Sequence, residues 1–77
     1  MQVKTLADVC DATPVRVTGV QDGHVAVDHL AELGFLPGTT VTRVGQAPLG
    51  DPVVYSIRGA RFALRRSDAR QILVESL

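Results

Sequence analysis

Apolar and polar residues alternate at period two along most of the chain, and the pattern gives way once to a longer period. Val15 and Val17 point one way, with Arg16 and Thr18 the other, which predicts a half-buried antiparallel strand over 15–20. Gly19 marks a bulge in that strand or its end. From His24 to Leu33 the spacing becomes helical. Ala26, Leu30 and Leu33 fall at i, i+4 and i+7, with Val27 and Ala31 beside them and Asp28 and Glu32 on the far flank. Gly34 then sits where a helix closes in the left-handed conformation, which makes Leu30 and Phe35 the apolar pair of a Schellman motif. Leu36-Pro37-Gly38-Thr39 fits a type II turn, since Pro37 presets φ and Gly38 supplies a positive one.

Period two returns after that turn. A second strand is predicted over 40–44, with impure alternation because Val41 shares a face with Arg43. In the loop Ala47-Pro48-Leu49-Gly50-Asp51-Pro52, neither proline can donate a ladder hydrogen bond, so the two bracket a break in pairing. Val53, Tyr55 and Ile57 line the inner face of a third strand. Gly59-Ala60 is a tight connection, and Phe62 and Leu64 are the inward pair of a fourth strand. Ser67 is placed to cap one helical turn through Arg70, and Ile72 and Val74 form a short fifth strand. Near the start, Thr5 is a candidate N-cap with Asp8 three residues on, and that turn would tuck Leu6 and Val9 inward. Five short strands, one substantial helix and turns every eight to twelve residues predict a mainly β fold. A small antiparallel barrel is expected, because closure removes unpaired edges.

Composition narrows the classes. Seventy-seven residues suit one domain, 1–77, of modest stability. Eight basic and eight acidic residues cancel, which leaves little footprint for a phosphate backbone. Arg58, Arg61, Arg65, Arg66 and Arg70 make a basic C-terminal third, read as a solvated rim on outer strand faces. A single cysteine, Cys10, rules out an internal disulfide and favours a reducing, cytoplasmic setting. No apolar run approaches the ~20 residues of a membrane span, so a membrane would be reached only through a partner.

Catalytic signals are missing. Ser56, Ser67 and Ser76 sit on a strand face, at a cap and in the tail, none in a strand–turn–helix elbow. No phosphate-binding glycine loop occurs. His24 and His29 lie i, i+5, roughly 140° apart on a helix, so they cannot hold one metal from its surface. The expectation is no enzyme activity, no cofactor and no metal site.

Taken together, L-x-x-L-G-F-L-P-G over 30–38, A-P-L-G-D-P over 47–52 and G-x-x-x-x-L-R over 59–65 resemble the FeoA family in order and spacing. Asp68-Ala69 with Ile72 and Val74 completes the likeness, which runs from Leu6 to Val74. The resemblance implies an SH3-like barrel with a helix inserted after the first strand. It also implies a cytoplasmic, non-catalytic accessory of FeoB, a GTP-dependent ferrous iron transporter, acting by protein–protein interaction. A homo-oligomer is compatible with this, and nucleic acid is not an expected partner. The competing reading is a metal- or ligand-sensing SH3-like module like those of iron-dependent repressors. Since Met1 opens the chain with no helix-turn-helix before the barrel, a free-standing module is expected. Arg43 and Gly45 depart from the family pattern: either the second strand twists out there, or the arginine stem lies along the core with its head in water.

The candidate partner contact is Leu36, Pro48 and Leu49, with Asp51 ordering the loop. A rigid loop presenting apolar groups loses little entropy on docking. The alternative is that these residues plug the ends of the barrel. Phe35, Tyr55 and Phe62 all fall on predicted core faces, which argues against an aromatic groove for proline-rich segments.

Overall fold

The computed structural model describes residues 4–21 and 32–77. Its strands are β1 (Lys4–Thr5), β2 (Val15–Val20), β3 (Thr40–Gln46), β4 (Val53–Ile57), β5 (Ala60–Leu64) and β6 (Ile72–Ser76). They form one antiparallel sheet in the order β1-β6-β2-β3-β4-β5. A 3₁₀ turn (Leu6–Asp8) follows β1, and a single helical turn, α1 (Arg66–Ala69), joins β5 to β6.

The period-two faces hold. Val15 and Val17 of β2, Val53, Tyr55 and Ile57 of β4, Leu64 of β5, and Ile72 and Val74 of β6 are all buried. Phe35 is fully buried and meets Phe62 edge to face, ring centroids 6.4 Å apart. In β2 the register shifts between Val17 and Gly19, so the expected irregularity is a bulge against β6. Of the helix expected over 24–33, only Glu32 and Leu33 lie within the described residues, and both are helical. The Leu30–Phe35 pairing lies outside them.

The turn before β3 forms as expected. The Thr39 amide donates to the Leu36 carbonyl at 3.0 Å, and Gly38 takes φ 90°. A side chain there would be strained, because L residues rarely adopt that conformation. The Gly38 amide donates to the Val17 carbonyl at 2.7 Å and the Val17 amide to the Thr39 carbonyl at 2.8 Å, which fastens the turn to β2. Thr5 and Asp8 also pair as expected: the Asp8 carboxylate accepts from the Thr5 amide at 3.0 Å and from its hydroxyl at 3.1 Å.

β3 bulges beside Arg43. Arg43 pairs with Tyr55 while Gly45 pairs with Val54, so Val44 is an extra residue and the strand bulges there. Val44 is 44% exposed. Arg43, opposite buried Tyr55, is half-buried, and its guanidinium donates to Gln46 Oε1 beyond the bulge. The strand bulges out at Val44, and Arg43 before it is half-buried.

Three expectations need correction. The described residues form six strands rather than five, because β1 is a two-residue strand on β6, too short to show a period. Ser67 does not cap the helical turn: Arg65, extended at φ −65° and ψ 147°, holds the cap position, with no bond from its own side chain. The sheet also does not close, since β1 and β5 lie at its two ends. Closure falls to side chains. The 3₁₀ turn that follows one edge strand packs on the helical turn that follows the other, and Leu6 and Ala69 are both fully buried.

Truncating that seal is costly. Leu6→Ala is expected to lower unfolding free energy by about 2–5 kcal/mol, read from the urea midpoint. Arg58 and Gly59 link β4 to β5 at φ 51° and 82°, the two positive values of a type I′ hairpin turn. Arg58 is strained there, so Arg58→Asn is expected to raise stability by about 0.5–1 kcal/mol, with an unchanged denaturant slope. Burial raises the Tyr55 phenol above its usual 10.0, with Arg43 and Arg66 pulling the other way. A raised folded value means the stabilisation is complete below the unfolded pKa and is lost as pH rises through the folded one. Stability is therefore expected to fall above about pH 10, and Tyr55→Phe to flatten that fall in alkaline denaturation curves.

Candidate interaction loop

The loop between β3 and β4 is built from its own backbone and then fastened to α1. The Ala47 amide donates to the Pro52 carbonyl at 2.9 Å, which closes the base of the loop. Within it the Gly50 amide donates to the Ala47 carbonyl at 2.8 Å, so Pro48 and Leu49 form the tip. The Asp51–Pro52 peptide is cis.

Two contacts tie this loop to α1. Asp51 Oδ1 accepts from the Arg66 amide at 3.1 Å, and Arg66 Nε donates to the Gly50 carbonyl at 2.8 Å. The first satisfies one of the orphan amides at the start of the helical turn, the task expected of Ser67. The second holds the half-buried Arg66 side chain under the loop. Loop and helical turn thus order each other.

The tip points to solvent. Leu49 is 97% exposed and Pro48 is exposed, so neither plugs an end of the sheet. Asp51, also exposed, spends one carboxylate oxygen on Arg66. Leu36 is 42% exposed but stands elsewhere. It opens the turn that leads into β3, whereas Pro48, Leu49 and Asp51 follow the far end of that strand. Seven residues of strand put roughly 20 Å between them. The sequence-predicted contact therefore divides into a three-residue loop and a separate leucine.

Arg66 is the residue that sequence reasoning missed. By sequence it is one of five arginines expected in a solvated rim; Arg58, Arg61, Arg65 and Arg70 are indeed exposed. The Asp51–Arg66 contact spans fifteen positions, so no local pattern announces it.

Other chemistry is sparse among the described residues. Cys10 is exposed and lines a pocket of about 170 Å³ with Lys4, Asp8, Asp11 and Thr13. Its carboxylates are engaged locally: Asp8 caps Thr5, and Asp11 Oδ1 accepts from the Thr13 amide at 3.0 Å. That backbone bond, first of several causes, holds the Asp11 carboxyl below its usual 3.8. Among the described residues no group of three or more His, Cys, Asp or Glu is arranged to hold a metal. His24 and His29 lie outside them. No helix among the described residues is long and apolar enough to cross a membrane.

Comparison with known proteins places this architecture. The chain is 50% identical over 46 residues to the Fe(2+) transport protein A/Fe(2+) transporter FeoB fusion protein of Porphyromonas gingivalis. The match takes in 60% of this chain but only 6% of that much longer protein. The NMR structure of a FeoA-like protein from Clostridium acetobutylicum superimposes with a TM-score of 0.90 at 32% identity, covering 100% of this chain and 90% of that one. FeoA of Stenotrophomonas maltophilia, a prokaryotic SH3 domain protein crystallised with zinc, superimposes at 0.81 with 36% identity, covering 94% of this chain and 89% of that one. The open six-stranded sheet is thus an SH3-like fold. The FeoA domain profile matches residues 4–76, nearly the whole length, and the chain belongs to the FeoA family.

Proposed function

We propose that this protein is a cytoplasmic, non-catalytic accessory of a FeoB-type ferrous iron transporter and acts by binding it. The observation that carries this reading is the P. gingivalis relative, in which transport protein A and the transporter are one polypeptide. Fusion keeps two domains at high mutual concentration, the condition a binding module serves.

The contact is assigned to Pro48 and Leu49, with Asp51 and Arg66 as the residues that position them and Leu36 as a second point of attachment. A leucine exposed to 97% buries almost no surface on folding, yet burying it in a partner takes about 1.5–3 kcal/mol worth of apolar surface out of water. The loop is already fixed at its base and at α1, so docking costs little further ordering.

The zinc held by the S. maltophilia relative favours a second reading, in which a transition metal binds this chain and adjusts its activity. Calorimetric titration with Zn²⁺ and Fe²⁺ separates the two, since stoichiometric binding with a raised melting temperature belongs to the metal-responsive reading alone.

Binding of the purified chain to solubilised FeoB tests the accessory reading. Leu49→Ala is expected to weaken that binding by about tenfold or more while leaving the melting temperature unchanged. Equal binding by Leu49→Ala and Leu36→Ala proteins that remain folded would move the contact elsewhere. Arg66→Ala is expected to speed amide exchange over residues 47–52 and to weaken binding, with the strands still protected.

A further inference from the structure

β5 stands at one end of the sheet, and its outer edge runs up to the helical turn that anchors the loop. Ile57 and Ala60 close the two-residue hairpin and so exchange main-chain bonds. Alternation along an antiparallel pair places Tyr55 with Phe62 and Val53 with Leu64 in the same class. The main-chain N–H and C=O groups of Arg61 and Ala63 therefore point away from β4. No strand among the described residues pairs along that side.

The side chains on this strand are equally distinctive. Arg65 stays extended, so Arg61, Ala63 and Arg65 share the outer face, and all three are exposed. Two guanidinium-bearing positions stand four residues, roughly 13 Å, apart with a methyl group between them. The residues of β4 opposite this row are Ser56 and Val54, which bring no charge. Among the described residues the ion pair is Arg16 with Glu75, in another part of the sheet, so neither Arg61 nor Arg65 has a carboxylate partner there.

We infer that the β5 edge accepts an extended acidic segment of another protein as an added strand, with carboxylates at positions i and i+4 opposite Arg61 and Arg65. Alternating donors and acceptors along the edge match another main chain. Cross-strand neighbours lie close enough for each arginine to pair with a carboxylate on the incoming strand. A nucleic acid suits the edge less well, since phosphates only accept, and the aromatic rings face the core: Phe35 and Tyr55 are buried, and half-buried Phe62 packs edge to face on Phe35. Self-pairing would gather the arginines of two copies on one edge, the arrangement that guards edges against association.

The test is NMR titration of the isotope-labelled chain with a capped peptide carrying the run Glu-Val-Ala-Val-Glu. Saturable shifts and slowed exchange at the Arg61 and Ala63 amides are expected, with no response to the matching Lys-Val-Ala-Val-Lys peptide. A double variant, Arg61→Glu with Arg65→Glu, is expected to bind the acidic peptide about tenfold more weakly, its dispersed spectrum reporting an intact fold. The charge-preserving Arg61→Lys, Arg65→Lys protein stays within a few-fold. Unmoved edge amides at millimolar peptide overturn the inference. So does protection of those amides that rises with protein concentration alone, or a short oligothymidylate that produces the same shifts at lower concentration.

Discussion

A sheet whose two ends never hydrogen-bond to each other must be sealed by something else, and here the seal is a pair of short turns. Leu6 and Ala69, one from the 3₁₀ turn after β1 and one from α1 after β5, are both fully buried. The inner faces of β2, β4 and β6 converge on the same core. In a chain this small each such residue covers a large share of the interior, because little apolar surface is available in total. The sharp turns follow from that economy. A type I′ turn lets β4 reverse into β5 in two residues, and a type II turn leads directly into β3, which leaves the rest of the chain for buried faces.

The loop between β3 and β4 depends on the same seal. Its anchor, Arg66, opens the helical turn whose Ala69 closes the core, so the groups that shut the interior also hold the exposed tip in place. An apolar side chain left in water on a rigid support is a poor way to fold and a good way to bind. Fold alone does not assign that role, since SH3-like domains serve many partners. The proposed role rests instead on the P. gingivalis relative, in which transport protein A and the transporter are fused.

Much of this was legible in the residue order because the information was local. Alternating valines and isoleucines on β2, β4 and β6 gave their faces away, and Pro37-Gly38 specified its turn through backbone sterics alone. The Gly19 bulge and the Thr5–Asp8 pairing were readable for the same reason. What escaped depends on distant partners. β1 exists only because β6 offers it an edge, and two residues carry no periodicity. The role given to Ser67 belongs to Asp51, fifteen residues before the amide it satisfies. Closure is not legible either, because a count of strands says nothing about whether the first and last meet. The proposed contact was read as one patch because sequence brings Leu36 and Leu49 near, while the intervening strand holds them apart.

The bulge at Val44 bears on how relatives of this chain are compared. It absorbs one residue while the pairs on either side, Arg43 with Tyr55 and Gly45 with Val54, keep their phase. β3 can therefore gain or lose a residue at that point without turning the loop over or exposing Val41. An alignment that forces this strand through without a gap will assign half of it to the wrong face. A gap in such an alignment belongs at Val44, and a chain without that residue would present the same interior with a strand one residue shorter.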